Sequence, residues 1–243
     1  CTWRRGAKAP DGEDMSIRNI SMFIGCMCVS SSIGVADIWF DPTGDISTGN
    51  PNLDITSFEI TDNGDDLSMT IEVADISQSW GHYMIFMDLF AGVGSGDNDN
   101  PWGRNVSGLE GADIFMGGSP DWGGQMFNTN GSGWNQWWSD SDPNGDSTLP
   151  FDVSTDYANN SFTFTLTSFV ASAMDEGLEG FNFEVGTTGG NWGDPAIDLL
   201  NGTGGNWGEG STGAWEYYQF STVPAPGALV LLTIAGFSRK RRV

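Results

Sequence analysis

The chain has 243 residues, with 32 acidic and 9 basic side chains and a net charge of −23 at pH 7. A field that negative repels nucleic acid and anionic membrane surfaces. One histidine, and three cysteines confined to positions 1, 26 and 28, leave no His/Cys zinc site in the rest of the chain.

Residues 1–14 differ in composition from the apolar stretch after them and read as lying upstream of the true start, Met15. From there a secretory signal unfolds: Ser16-Ile17-Arg18-Asn19, the apolar segment Ile20–Ile33, then Gly34-Val35-Ala36 as a small-x-small cleavage site. Cleavage between Ala36 and Asp37 would start the mature chain. A lipoprotein signal at Ile24-Gly25-Cys26 is a second reading, with a much shorter apolar run before its cysteine. Between 37 and 222 lie 29 acids and one basic residue, Arg104, so this segment carries close to −28. Its 186 residues suffice for one sizeable core without disulfides.

The signals along this segment are β signals. Leu67–Val73, Phe162–Thr167 and Phe181–Val185 alternate apolar with polar residues, which predicts strands with one buried face. Asp54–Thr61, His82–Phe90 and Ala214–Ser221 are further strands, and Tyr83–Phe90 is apolar enough to be buried on both faces. Asp62-Asn63-Gly64-Asp65-Asp66 predicts a hairpin turn into Leu67. Ser168–Asp175 is the one helical candidate. Glycines concentrate in Gly92–Gly133 and Gly186–Gly213, read as long loops or short strands at one end. The fold class is all-β: an antiparallel, jelly-roll-like β-sandwich with long Gly-rich loops.

Two features of those loops bear on chemistry. Gly189-Gly190-Asn191-Trp192-Gly193-Asp194 is echoed by Gly204-Gly205-Asn206-Trp207-Gly208-Glu209, and Trp-Gly recurs at Trp80, Trp102 and Trp122. Trp102, Trp122, Trp192 and Trp207 are candidates for stacking on sugar rings; equally, a tryptophan beside a glycine plugs a sandwich end. Acidic turns at Asp41, Asp45 and Asp54, and at Asp97 and Asp99, offer oxygen ligands for calcium, although Asp, Asn and Gly are also ordinary turn residues. The second cluster lacks the positions of an EF-hand. Catalysis finds little support: a triad would have to use His82, phosphoryl chemistry lacks basic residues, and many carboxylate pairs exist with nothing to single one out.

Asp41–Ala74 resembles the opening of the β-sandwich modules at the C-terminus of glucodextranase-type enzymes, relatives of family-nine carbohydrate-binding modules and DOMON-like domains. The shared pattern is Asp-Pro-x-Gly-Asp, then Asp-Ile-x-x-Phe, then Asp-x-Gly-Asp before an alternating run. The resemblance implies a jelly-roll-like sandwich, calcium at Asp41, Asp45 and Asp54, and carbohydrate or surface binding.

The chain closes on Val223-Pro224-Ala225-Pro226, an apolar run Gly227–Phe237 expected as a short helix, and Arg239-Lys240-Arg241-Arg242. Eleven apolar residues fall well short of the ~20 that cross a bilayer, and the basic cluster would stay on the cytoplasmic side. This order resembles the PEP-CTERM sorting signal of Gram-negative bacteria, with Ala225 where the name-giving motif has Glu. It implies an exosortase-type processing enzyme, a transient inner-membrane anchor, and delivery to the cell surface or extracellular matrix. The function expected is therefore non-enzymatic surface or matrix binding of exopolysaccharide. A calcium-dependent acidic structural protein without a sugar site and a glycan hydrolase are the alternatives.

Overall fold

The computed structural model describes residues 35–90, 94–129, 131–139 and 151–221, all within the unit Ser32–Val243. Its strands are β1 (Val35–Phe40), β2 (Ile55–Asp62), β3 (Leu67–Val73), β4 (His82–Asp88), β5 (Val106–Ser107), β6 (Ile114–Ser119) and β7 (Gly123–Thr129), followed by β8 (Trp134–Ser139), β9 (Phe151–Asp156) and β10 (Ser161–Leu166). After helix α1 (Phe169–Asp175) come β11 (Gly180–Thr188), β12 (Ala196–Leu199), β13 (Ser211–Thr212) and β14 (Glu216–Gln219). One sheet runs β1-β2-β3-β10-β9. The other runs β12-β11-β4-β6-β7-β8, with β14 also paired to β11. Pairing within both sheets is antiparallel, and β13 forms a short parallel pair with β5.

Alternation decides what the sheets bury between them. β3 turns Leu67, Met69, Ile71 and Val73 inward, and β10 adds Phe162, Phe164 and Leu166. The second sheet answers with Tyr83, Ile85 and Met87 from β4 and Phe181, Phe183 and Val185 from β11. Phe58 and Phe183 meet across the core at 5.2 Å, and Tyr83 stacks on Phe162 at the same distance. Each fully buried side chain of this kind is worth roughly 1.5–3 kcal/mol. The 62–66 turn forms as expected: Asn63 Oδ1 accepts the N–H groups of Asp65 and Asp66 at 2.9 and 2.8 Å, and Gly64 takes φ +82°.

The seven-stranded sheet is covered on its other face as well. Met84 and Phe86 of β4, Phe115 of β6 and Leu199 of β12 form a second cluster with Val106, Leu109, Ala112 and Ala196. Trp102, Phe127, Trp134 and Trp215 pack against it, half-buried. The glycine-rich stretches hold short strands, one of the two expected readings, but they differ from it in place. They contain β6, β7 and β12, and their connecting residues lie over the sheet face. Glycine weakens a strand by propensity, but here it makes room. A Cβ at Gly117 would meet the Trp102 ring at 2.2 Å, and one at Gly118 would meet Phe162 from the inner core at 2.6 Å.

The Ala36–Asp37 junction falls inside β1, where Ala36 pairs with Thr61 and Asp37 with Ile60. Most of the signal segment 15–36, and all of the tail from Val223 to Val243 where a short apolar helix is expected, lie outside the described residues. Among the described residues no helix is long and apolar enough to cross a membrane.

Candidate functional site

Three of the four singled-out tryptophans converge. Trp102, Trp122 and Trp192 line a cleft of about 360 Å³ together with His82, Pro101, Arg104 and Gly190. Their roles differ. Trp102 is seated on Gly117 of β6, and the Arg104 guanidinium lies 5.4 Å from its ring centroid. Its indole N–H donates to Gln125 Oε1 at 3.1 Å. Both sides of this ring are therefore occupied, and Trp102 is the floor. Trp122 is 37% exposed and Trp192 is 80% exposed, so these two present apolar surface to a ligand. The Trp102 and Trp122 rings meet at 64°, which makes a corner and not a flat platform.

The loops that carry Trp102 and Trp192 are laced together. Gly193 N–H donates to the Gly103 carbonyl at 3.0 Å, and Asn105 N–H to the Asp194 carbonyl at 3.1 Å. Arg104 Nη1 donates to the Asn191 carbonyl. Trp192 then lies over Gly103, where a Cβ would sit 2.2 Å from the indole and where φ is +60°. A side chain at 103 would be strained by its backbone and would displace the tryptophan. Asn100 fixes the loop from below, its side chain accepting from Arg104 N–H and donating to the Arg104 carbonyl, both at 2.8 Å.

The cleft's polar groups are set by burial. Burial, and then the Arg104 cation, pull His82 down to about 4, so the imidazole is neutral at pH 7. Trp122 Nε1 donates to His82 Nε2 at 3.2 Å, which leaves the ring proton on Nδ1. Arg104 is 95% buried, and burial lowers its pKa from the usual range while Asp194 opposes the shift. It stays charged, with its guanidinium in cation–π contact with Trp102. Trp207 stands apart from the lining. Its ring covers Gly189, one residue before the cleft-lining Gly190.

A second, polar cavity of about 240 Å³ lies between the 41–47 loop and β12 with the chain just beyond it. Asp41, Asp45 and Asp198 bring carboxylate oxygens within 4.8 Å of one another there. Burial comes first, then the charges of Asp198, Asp45, Asp54 and Glu184, in pushing Asp41 up to about 7. Asp41 Oδ2 is buried without a hydrogen-bond partner. Asp198 is raised by burial to about 7 against the lowering effect of Ile55 N–H, which it accepts at 2.7 Å. Glu184 also reaches about 7 through burial, although it accepts from Val185, Asn201 and Ala214. Several acids share this region, and among the described residues the one cation, Arg104, lines the other cleft. The donor set is all oxygen, which suits a hard divalent ion such as calcium.

Asp54 lies outside this three-carboxylate group. Its two oxygens accept Gly44 N–H at 3.0 and 2.9 Å and cap the Asp-Pro-x-Gly-Asp turn. Asp97 caps Gly108 N–H at 2.6 Å, while the Asp99 carbonyl accepts from Trp134 Nε1. Those two carboxylates join no metal-capable group among the described residues.

A scan against protein-family models gives no match, and neither does a search of curated proteins. The site therefore has to be read from its own residues. Sequence reasoning missed Asp198 and Glu184. One usable signal was an acid inside the apolar run Ala196-Ile197-Asp198-Leu199-Leu200. Glu184 alternates to the outer face of β11, which reads as wet until the loops are seen to cover it.

Proposed function

We propose that this is an exported, non-enzymatic β-sandwich of the cell surface or matrix that holds a polysaccharide in the cleft lined by Trp122 and Trp192. Within this reading the sandwich is of the jelly-roll-like, carbohydrate-binding kind, and the C-terminal segment is processed by an exosortase-type enzyme after a transient stay in the inner membrane. The observation that carries it is Trp192: a large aromatic side chain, mostly exposed, seated on a glycine and held by a laced pair of loops. An unused apolar face fixed that firmly suits stacking against the C–H face of a sugar. Acid/base chemistry at this corner is disfavoured, since the described lining of the cleft contains no carboxylate and the clustered acids line a different cavity.

The test is retention of the full chain on insoluble neutral polysaccharides. Wild type should be retained on at least one of them and Trp192→Ala should pass through. Equal retention of both would refute the reading.

A specific observation favours calcium as a second element. Three carboxylates converge around an unpartnered buried oxygen of Asp41, while the one cation among the described residues, Arg104, lines the other cleft. Asp41, Asp45 and Asp198 would hold the ion, joining the 41–47 loop to β12 and stabilising the sandwich with or without a sugar.

A further inference from the structure

The two Gly-Gly-Asn-Trp-Gly-acid segments fold alike. In the first, Asp194 N–H donates to the Asn191 carbonyl at 3.2 Å, and Asn191 N–H returns a bond to Asp194 Oδ2 at 2.9 Å. In the second, Glu209 N–H donates to the Asn206 carbonyl at 2.9 Å, and Asn206 N–H reaches Glu209 Oε2 at 3.4 Å. Gly193 and Gly208 occupy the third position of their turns with φ of +83° and +81°, a conformation that favours glycine there. Each turn lifts its tryptophan at the second position, leaving Trp192 80% and Trp207 44% exposed.

The turns are also neighbours. A Cβ at Gly189 would meet the Trp207 ring at 2.8 Å and Asp194 Oδ2 at 2.6 Å. The next residue, Gly190, lines the Trp192 cleft against His82. Trp207 thus stands at the edge of the cleft, on the backbone of the first turn.

We propose that the two turns are two subsites for one uncharged polysaccharide chain, with Trp192 and Trp207 each stacking on a sugar. This rests on the reading of the cleft as a sugar site. A monosaccharide would need only the cleft lined by Trp122 and Trp192; a duplicated, adjacent aromatic turn serves a ligand that repeats. The charge around it sets the class. Asp194 and Glu209 lie two residues beyond their tryptophans, and no basic residue other than Arg104 occurs between 37 and 222, so a polyanion is repelled. Both carboxylates are turned back onto their own turns, where they accept Asn191 N–H and Asn206 N–H. Tethered contacts act at high effective concentration, so a ligand long enough to reach both gains affinity without any new kind of contact.

The experiment is calorimetric titration of the full chain with neutral gluco-oligosaccharides of two and six sugars, in β-1,4, β-1,3 and α-1,4 linkage. With the preferred linkage the hexamer should bind at least about tenfold tighter than the dimer. Trp207→Ala should bring the hexamer down to the dimer's affinity and leave the dimer unchanged. Trp192→Ala should abolish both, and Trp207→Tyr should keep most of the length dependence. Matched melting midpoints would show that the variants are folded; a fall confined to Trp207→Ala would pass the test to Trp207→Tyr, whose loss of length dependence would count against the proposal. Equal affinity for dimer and hexamer, or equal weakening of both by Trp207→Ala, would overturn the two-subsite proposal and leave the cleft standing. Tighter binding of a glucosamine hexamer would overturn the uncharged class. Binding of none of these sugars would overturn the cleft reading itself, and the proposal with it.

Discussion

The two faces of the seven-stranded sheet are buried by different means. On the inner face, strand meets strand, and alternation alone delivers Phe58, Phe162, Phe164 and Phe183 to a shared core. On the outer face, loops meet strands and one another, and contact depends on glycine. Trp102 sits on Gly117, Trp192 on Gly103 and Trp207 on Gly189. A ring lying over a glycine packs as closely as a side chain in a core, yet it can leave its other side to solvent. The first kind of packing uses up its aromatics, whereas the second leaves some of their surface for a ligand.

Substitutions on each face sharpen that contrast. The largest effect belongs to the inner face: Phe183→Ala should cost about 3–5 kcal/mol in denaturant melts, since Phe183 touches both Trp39 and Phe58. A loss well under that would mean the inner core is loosely packed. On the outer face, Gly117→Ala adds one methyl group into the Trp102 ring. Overpacking of this kind should cost about 1–3 kcal/mol and should also abolish sugar retention, by dislodging the cleft floor. Stability and retention both unchanged would break the seat-on-glycine account.

The acid cluster joins the 41–47 loop to β12, and calcium should show there next. At about 100 times its Kd, calcium adds ~2.7 kcal/mol and should raise the melting midpoint by several degrees over EDTA. Asp198→Asn should remove that rise. Asp54→Ala, which removes the acceptor of Gly44 N–H, should lower the midpoint by the equivalent of ~1 kcal/mol and keep the calcium response. The reverse pattern would restore Asp54 as the ligand.

The smallest effect is with pH, in EDTA. Asp41, Asp198 and Glu184 have higher pKa values folded than unfolded, so the folded chain holds their protons more tightly. Their cost to stability is absent below about pH 4, where both states are protonated. It grows as pH rises through the folded value of about 7. His82, lowered to about 4, acts oppositely and costs stability as pH falls from about 6.5. The melting midpoint should therefore fall between about pH 4 and 7 by less in Asp41→Asn than in wild type. An unchanged slope would show that Asp41 is not raised.

The same contrast decides which elements were readable in the sequence. β3, β10 and β11 were visible because their inward residues alternate and their neighbours need no special shape. The doubly buried strand expected over Tyr83–Phe90 holds for Tyr83–Met87, which is apolar throughout; the strand ends at Asp88, and Phe90 is exposed. β6 and β7 were allowed as short strands but not delimited, because Gly117, Gly118 and Gly124 look like loop residues until Trp102, Phe162 and Val153 are seen beside them. Asp41 and Asp45 were flagged by turn chemistry, but Asp198 joins them through tertiary pairing across more than 150 positions. The tryptophans were singled out by their repeat. Which of them face solvent was not readable, because that depends on which glycine each one finds.

The most direct measurement is an NMR titration of the full chain with the best-retained polysaccharide's hexamer, following the assigned indole N–H signals. The signals of Trp122 and Trp192 should move together and saturate, while that of Trp39, packed against the inner core, stays still. Movement elsewhere with Trp192 unmoved would contradict the assignment of this corner as the sugar site.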